Sequence, residues 1–453
     1  MIKRFIAIVI AVVLSLPFSC NVFADNNEKV NKDETQLKSL SATSPYAILL
    51  DMKTGAVIYE KNSDERVYPA GLTHIMTAVL VLENCNLEEL VTASESALSN
   101  VQPGDNKMGI LKDEVLSVRQ LLYGLLLGSA SDAAYVLAEK TSGSMGEFIS
   151  LMNEKAKELE MKGTNFTNPT GNHDERHYTT ASDMASLTMH AMQIPEFCEI
   201  VKTKSYSIPP TEKNLSARKI TNKNHFVSNL LRNDYYYKNA TGIKTGYTES
   251  AKSCIAASAE KNGVSLIALV FKSETQDNVV QSFSDCKNMF EYVFDNYISK
   301  SVVSQDEIIA QTRIINTRRN NKLILKAEKD MSVLVDKDLE NTEITYKDSL
   351  AKSVSAPVKE NEIIGTREYF LNGTSVGIIN LVAEKNYALD PVTFIINKMI
   401  AFVTSPWLYV TIVLLLFVFI MAERRRRRIL RKKRREARKK RNLELINKLD
   451  DYK

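Results

Sequence analysis

The apolar positions change their period several times along the chain, and each change marks a new element. Residues 5–16 are almost wholly apolar behind Lys3 and Arg4, and Val22-Phe23-Ala24 offers small residues suited to cleavage after Ala24. This predicts a secretory signal peptide over 1–24, with an uncleaved anchor as the alternative. Cys20 does not make it a lipoprotein signal, because bulky Phe18 stands where a small residue should precede it. Residues 25–43 hold few large apolar side chains and read as a flexible leader. Two apolar runs between Tyr46 and Tyr59 flank Lys53-Thr54-Gly55, which predicts a β-hairpin. The spacing over 73–82 suits a buried helix. Val118, Leu121, Leu122, Leu125 and Leu126 form one stripe, and Ala133, Ala134, Val136 and Leu137 a second. Gly128-Ser129 between them predicts two helices meeting at a turn. Further helices are expected at 145–161, 181–192 and 282–297, and strands at 253–258 and 264–271.

Past residue 300 the runs become short and alternating. Strands are expected at 308–315, 322–327, 332–335 and 342–346, and Asn372-Gly373 before 375–381 carries the type I′ hairpin signal. The pattern therefore predicts an α+β domain over 44–300, a small all-β domain over 301–390 and an apolar, interfacial segment over 391–404. Residues 405–422 follow as a transmembrane helix. Its uncharged stretch, 406–422, covers about 25 Å at about 1.5 Å per residue, and the flanking turns complete a bilayer's hydrocarbon core. Trp407 and Tyr409 stand at its outer edge as interface aromatics do.

Charge fixes the orientation. Residues 424–441 hold 14 Lys and Arg against one Glu, so the 423–453 tail is expected on the cytoplasmic side and the body outside. The signal peptide demands the same topology. The tail is suited to anionic lipid headgroups, although fixing topology is a sufficient role for it. Without residues 1–24 and 423–453 the chain has 41 basic and 49 acidic residues, a net of −8, which gives no reason to expect nucleic-acid binding. Four cysteines remain after cleavage, Cys85, Cys198, Cys254 and Cys286; their scatter implies no disulfide and suits small buried thiols. His173 and His177 are spaced as zinc ligands on a helix would be. The glutamate is one place off the metalloprotease pattern, however, and Asn168-Pro-Thr-Gly171 breaks any helix, so no metal or cofactor is expected.

Three stretches carry candidate chemistry: Gly71-Leu-Thr-His74, Ser129-Ala-Ser131 and Lys244-Thr245-Gly246. Serine acyl-transfer enzymes that recognise penicillin use Ser-x-x-Lys, Ser-x-Asn and Lys-Thr-Gly. Ser and Lys one helical turn apart share a helix face, so the amine can take the hydroxyl proton. Val67 to Thr77, Leu121 to Ala134 and Gly242 to Thr248 resemble, in that order, the three elements of low-molecular-mass D-alanyl-D-alanine carboxypeptidases, penicillin-binding proteins of peptidase family S11. Asn168 to Gly171, His177 to Ala181 and the segment from Ile364 to Ala383 match further stretches of that family. The resemblance implies a β-lactamase-like transpeptidase fold, action on cell-wall peptides, and substrate contacts from Ser129, Lys244, Thr245 and Gly246. It also implies that Gly71 stands at the nucleophile, His74 at the general base and Ser131 at the asparagine. With those three replaced, the expectation is a pseudoenzyme that binds a peptidoglycan stem peptide or a cell-wall protein. His74 is then either a filler of the lysine's space or a base for water. An active hydrolase with a non-standard nucleophile is the alternative.

Overall fold

A computed structural model describes residues 40–276, 279–318, 322–339, 344–371 and 373–450. The expected signal peptide and nearly all of the leader lie outside them. The chain divides into two compact units, the first ending at Asn296 and the second opening at Tyr297.

The first unit is built on a five-stranded antiparallel sheet. Its strands are β1 (Tyr46–Asp51), β2 (Val57–Lys61), β3 (Ala240–Thr248), β4 (Lys252–Lys261) and β5 (Val264–Ser273), in the order β2-β1-β5-β4-β3. The hairpin predicted around Lys53-Thr54-Gly55 joins β1 and β2, its turn tied by Thr54 Oγ1 donating to Asp51 at 2.7 Å. Strand alternation explains why β1 and β5 are apolar almost throughout. Ile48, Leu50, Ile267, Leu269 and Phe271 join the helical core on one face. Ala47, Leu49, Leu266, Ala268 and Val270, also buried, point to the other.

Between β2 and β3, besides the single turn Glu95–Leu98, lie six longer helices: α1 (Thr73–Asn84), α2 (Val118–Gly128), α3 (Ser131–Ser142), α4 (Met145–Glu158), α5 (Ala181–Ala191) and α6 (Pro195–Lys202). After the sheet comes α7 (Gln281–Asn296), which packs on β4 and β5. Helix α1 is buried at every residue from Thr73 to Val81, which is why its sequence is apolar on all sides rather than on one stripe. The break predicted at Gly128-Ser129 is real. Ser117 opens α2 with a capping box closed by Gln120, and Ser129 ends it in the left-handed region at φ 53°. Helix α4 ends three residues short of the expected boundary, because Glu160 at φ 57° turns the chain and Met161 donates back to Ala156. Helix α6 and the strand pair Ser205–Ile208 with Arg218–Thr221 were not anticipated; strands of four residues give too little periodicity.

The second unit is all-β before its helices. A six-stranded sheet includes Ile308–Ile315, Lys322–Ala327, Ile363–Leu371 and Thr374–Ala383, and Tyr297–Val303 pairs with Met331–Asp336 beside it. Leu371 pairs with Thr374, as the expected two-residue hairpin requires. The strand expected at 342–346 runs instead over Ile344–Leu350, its register set by pairing with Ile363–Leu371. Leu323, Leu325, Leu381 and Ile314 form its core. Helix α8 (Pro391–Val403) starts at Asp390, whose side chain accepts from the Thr393 N–H, and its apolar side chains are exposed. Helix α9 (Pro406–Asp450) runs unbroken through the apolar stretch into the basic tail and is long and apolar enough to cross a membrane.

Candidate active site

The three sequence stretches meet at one cavity of about 1070 Å³, lined by Gly71, His74, Ser129, Ser131, Thr245 and Gly246 among others. Gly71 lies in a 3₁₀ turn over Ala70–Leu72 that leads into α1. Ala70, just before it, is held at φ 46°, a conformation alanine rarely adopts and which the surrounding structure must enforce. The enforcing element is the turn at Asn168–Gly171. Asn168 Oδ1 accepts from the N–H groups of Thr170, Gly171 and Asn172 at 2.7 to 3.2 Å. Gly171, at φ 81°, brings its backbone so close that a Cβ there would stand 1.8 Å from the Ala70 carbonyl oxygen. Thr77 Oγ1 completes the link by donating to the Pro169 carbonyl at 2.7 Å.

Strand β3 is the sheet edge that faces this turn. A Cβ on Gly71 would lie 3.0 Å from the Thr245 carbonyl oxygen and 3.2 Å from Gly246 Cα. A Cβ on Gly246 would reach the Gly71 nitrogen at 2.6 Å. The two glycine backbones therefore abut, and the room for a side chain at position 71 is narrow.

His74 is one turn further along α1, 2% exposed, with neither ring nitrogen hydrogen-bonded among the described residues. Burial, reinforced by the Lys244 ammonium, outweighs the neighbouring Leu125 carbonyl, which lacks good hydrogen-bond geometry to the ring, and holds the pKa well below the ordinary histidine range, so the ring is neutral. Lys244 is itself 1% exposed. Its Nζ donates to Ser129 Oγ and to the Thr245 carbonyl at 3.1 Å, and burial, with Lys223 nearby, brings its pKa down to about 7. Ser129 rather than Lys244 forms the cavity wall, so the lysine acts from behind the hydroxyl. Ser131, 5% exposed, is the first residue of α3, and its N–H donates to the Asn106 carbonyl at 2.7 Å. Neighbouring Asp132 accepts from Met108, Gly109 and Ile110, which pins the loop that rims the cavity.

Two participants were not singled out from the sequence. Lys223 reaches Asn106 Oδ1 and lines the cavity, but one lysine in a polar stretch carries no signal. His177, given no role by the sequence beyond its metal-like spacing and a family-like stretch, bonds Thr73 Oγ1 through Nε2 at 2.9 Å, and its Nδ1 receives the Thr167 N–H at 3.1 Å. The second contact puts the ring proton on Nε2, so His177 donates to Thr73. Burial lowers its pKa to about 4, and the segment around it is irregular, with His173 edge-on to Tyr68. Of the cysteines, Cys254 and Cys286 are buried thiols and Cys85 and Cys198 partly so; all four are free.

The five-stranded sheet, its helices and the edge strand across the cavity make up the penicillin-binding, transpeptidase-like fold. The family model of D-alanyl-D-alanine carboxypeptidases matches residues 31–275, and that of the penicillin-binding protein 5 C-terminal domain matches 297–388. D-alanyl-D-alanine carboxypeptidase DacF of Bacillus subtilis is 29% identical over 370 residues, 80% of this chain and 89% of that protein. DacA of Haemophilus influenzae, also named as a D-alanyl-D-alanine carboxypeptidase, is 31% identical over 75% of this chain and 84% of its own length. The solved penicillin-binding protein 5 of Haemophilus influenzae superposes with a TM-score of 0.62 at 27% identity, covering 77% of this chain and 98% of that one. The chain belongs to the D-alanyl-D-alanine carboxypeptidase family.

Proposed function

We propose that this protein is an exported, membrane-anchored member of its family that holds a peptidoglycan stem peptide, or a cell-wall protein partner, without cleaving it. One observation carries the reading: the position that the family fills with its serine nucleophile is Gly71, whose backbone packs against the edge strand. Loss of such a serine costs about 10⁶ in turnover, or roughly 8 kcal/mol of barrier. The neutral, unpartnered His74 does not replace the lysine, since it has no hydroxyl at position 71 to deprotonate. Thr73, the nearest hydroxyl in sequence, is fully buried and accepts a hydrogen bond from the His177 Nε2–H, so that imidazole is not its base. What remains at the cleft is a binding surface of Ser129, Thr245 and Gly246 backed by Lys244, which suits a peptide carboxylate. In this reading the signal at 1–24 exports the body, α9 anchors it, and the basic tail lies inside, close to anionic lipid.

A second reading rests on the Ser129–Lys244 pair. An amine with a pKa of about 7 is partly neutral at physiological pH and can take a hydroxyl proton, which would make Ser129 the nucleophile of an active hydrolase. Covalent labelling of the detergent-solubilised chain by a fluorescent penicillin separates the two. The proposal expects no label on the natural protein and slow labelling of Gly71→Ser/His74→Lys/Ser131→Asn, slowed because strand β3 must yield a few tenths of an ångström. Label on the natural protein that Ser129→Ala abolishes would overturn it in favour of the hydrolase.

A further inference from the structure

Buried polar atoms without a hydrogen-bond partner are scarce in folded proteins, because each has lost its hydration and regained nothing. Among the described residues such atoms occur on Ser44, His74, Arg218, Asn224, His225, Ser273 and Glu384. Three of these seven, His74, His225 and Ser273, line the same cavity. That clustering is what a surface built for a ligand gives. His74 belongs to the site already described, whereas the other two lie where the ends of β4 and β5 meet the start of α7.

Ser273 is 2% exposed and is the cross-strand partner of Ser253, whose Oγ is bonded instead to Ser282 Oγ at 3.0 Å. The Ser273 hydroxyl is thus left without a partner in the cavity wall. His225 lies 5.9 Å from the Phe283 ring and 6.3 Å from Tyr235, and Tyr235 stacks on Phe283 at 4.7 Å. The Tyr235 hydroxyl is already committed, accepting the Val280 N–H at 3.0 Å. Burial and then the Arg232 guanidinium hold His225 below its ordinary pKa, so its ring is neutral at neutral pH. The charged residues that line the cavity there are mixed in sign: Lys252, Glu249, Glu274 and Arg232, the last paired with Asp234 at 3.0 Å.

The Ser273 hydroxyl and the unpartnered His225 Nδ1 can each donate or accept a hydrogen bond, so either can meet the N–H or the carbonyl of a backbone amide. The aromatic wall beside them suits an apolar side chain. The cavity, at about 1070 Å³, is at the upper end of ligand pockets and exceeds what a terminal dipeptide fills. We propose that the cleft takes a peptide that extends well past its two terminal residues, and that Ser273 and His225 bind one of its backbone amides while Tyr235 and Phe283 wall the adjoining side chain. This rests on the reading of the cleft as a peptide site.

The test uses the full-length chain in detergent micelles and two fluorescently labelled synthetic peptides ending in D-Ala-D-Ala, of three and of five residues. Affinity is read by anisotropy for the natural protein, Ser273→Ala and His225→Phe. The natural protein should favour the longer peptide, and each variant should cut that preference about tenfold while leaving the shorter peptide's affinity unchanged. Ser273→Ala should also leave the melting temperature unchanged or raised, because the hydroxyl it removes has no partner. Equal affinity of the natural protein for both peptides, an undiminished preference in both variants, or a lowered melting temperature of Ser273→Ala overturns the subsite and spares the peptide-binding reading. Failure of the natural protein to bind either peptide overturns both together.

Discussion

Lowering the pH should weaken the first unit by an amount that a single substitution reduces. His74 and His177 are both buried and both held neutral, His74 well below the ordinary range and His177 at about 4. In the unfolded chain each returns to about 6.5. The unfolded state therefore binds more protons than the folded state below that value, so stability is full above about pH 6.5 and is lost as the pH falls through the folded values. Between pH 7 and pH 5 His177 contributes a loss of about 2 kcal/mol, and His74 adds a further loss in the same direction. Lys244 adds little in this window, because with a folded value of about 7 it is mostly protonated in both states below it. His74→Leu keeps the volume, removes two unpartnered ring nitrogens and should leave a loss of only about 2 kcal/mol over the same range. At pH 7 the variant should be more stable than the natural protein by about 1–3 kcal/mol. With two compact units, a single unfolding midpoint would mix their transitions. Hydrogen exchange of the α1 amides, followed by mass spectrometry from pH 5 to 8 and corrected for intrinsic rates, reads the correct unit. Parallel pH dependences for the natural protein and His74→Leu would refute the reasoning, for they would mean that His74 already carries its proton or has a partner.

Two further substitutions test the frame and the pocket. Gly171→Ala sets a Cβ 1.8 Å from the Ala70 carbonyl at φ 81° and should cost more than about 3 kcal/mol, seen as loss of soluble folded protein or a collapse of the thermal transition; a melting temperature within a few degrees of the natural one would show that the turn does not buttress the elbow. Lys244→Met removes a buried ammonium that has no carboxylate partner among the described residues, so the melting temperature at pH 7 should rise while affinity for a D-Ala-D-Ala peptide falls about tenfold or more; unchanged affinity would remove Lys244 from the binding surface.

Local pattern made much of this architecture readable. The hairpin at Tyr46–Lys61, the all-round apolar α1, the break between α2 and α3 at Gly128-Ser129 and the apolar run of α9 each depend on residues close in sequence, where periodicity and backbone propensity act. The three motif stretches were legible for a related reason: each is a few residues whose spacing places side chains on one helix face or one strand. Even the absence of a hydroxyl at position 71 needed no structure. Tertiary packing decided what those residues meet. Thr73 and His177 are 104 positions apart and Lys244 and Ser129 are 115 apart, so no local window relates them. The sequence could name Lys244 as a cation but not that burial brings it to about pH 7 behind a serine, because desolvation is a property of the surrounding fold. It could name Gly71 as a missing nucleophile, but only the meeting of the edge strand with the turn before α1 determined that the backbone of Gly246 takes up the space beside it.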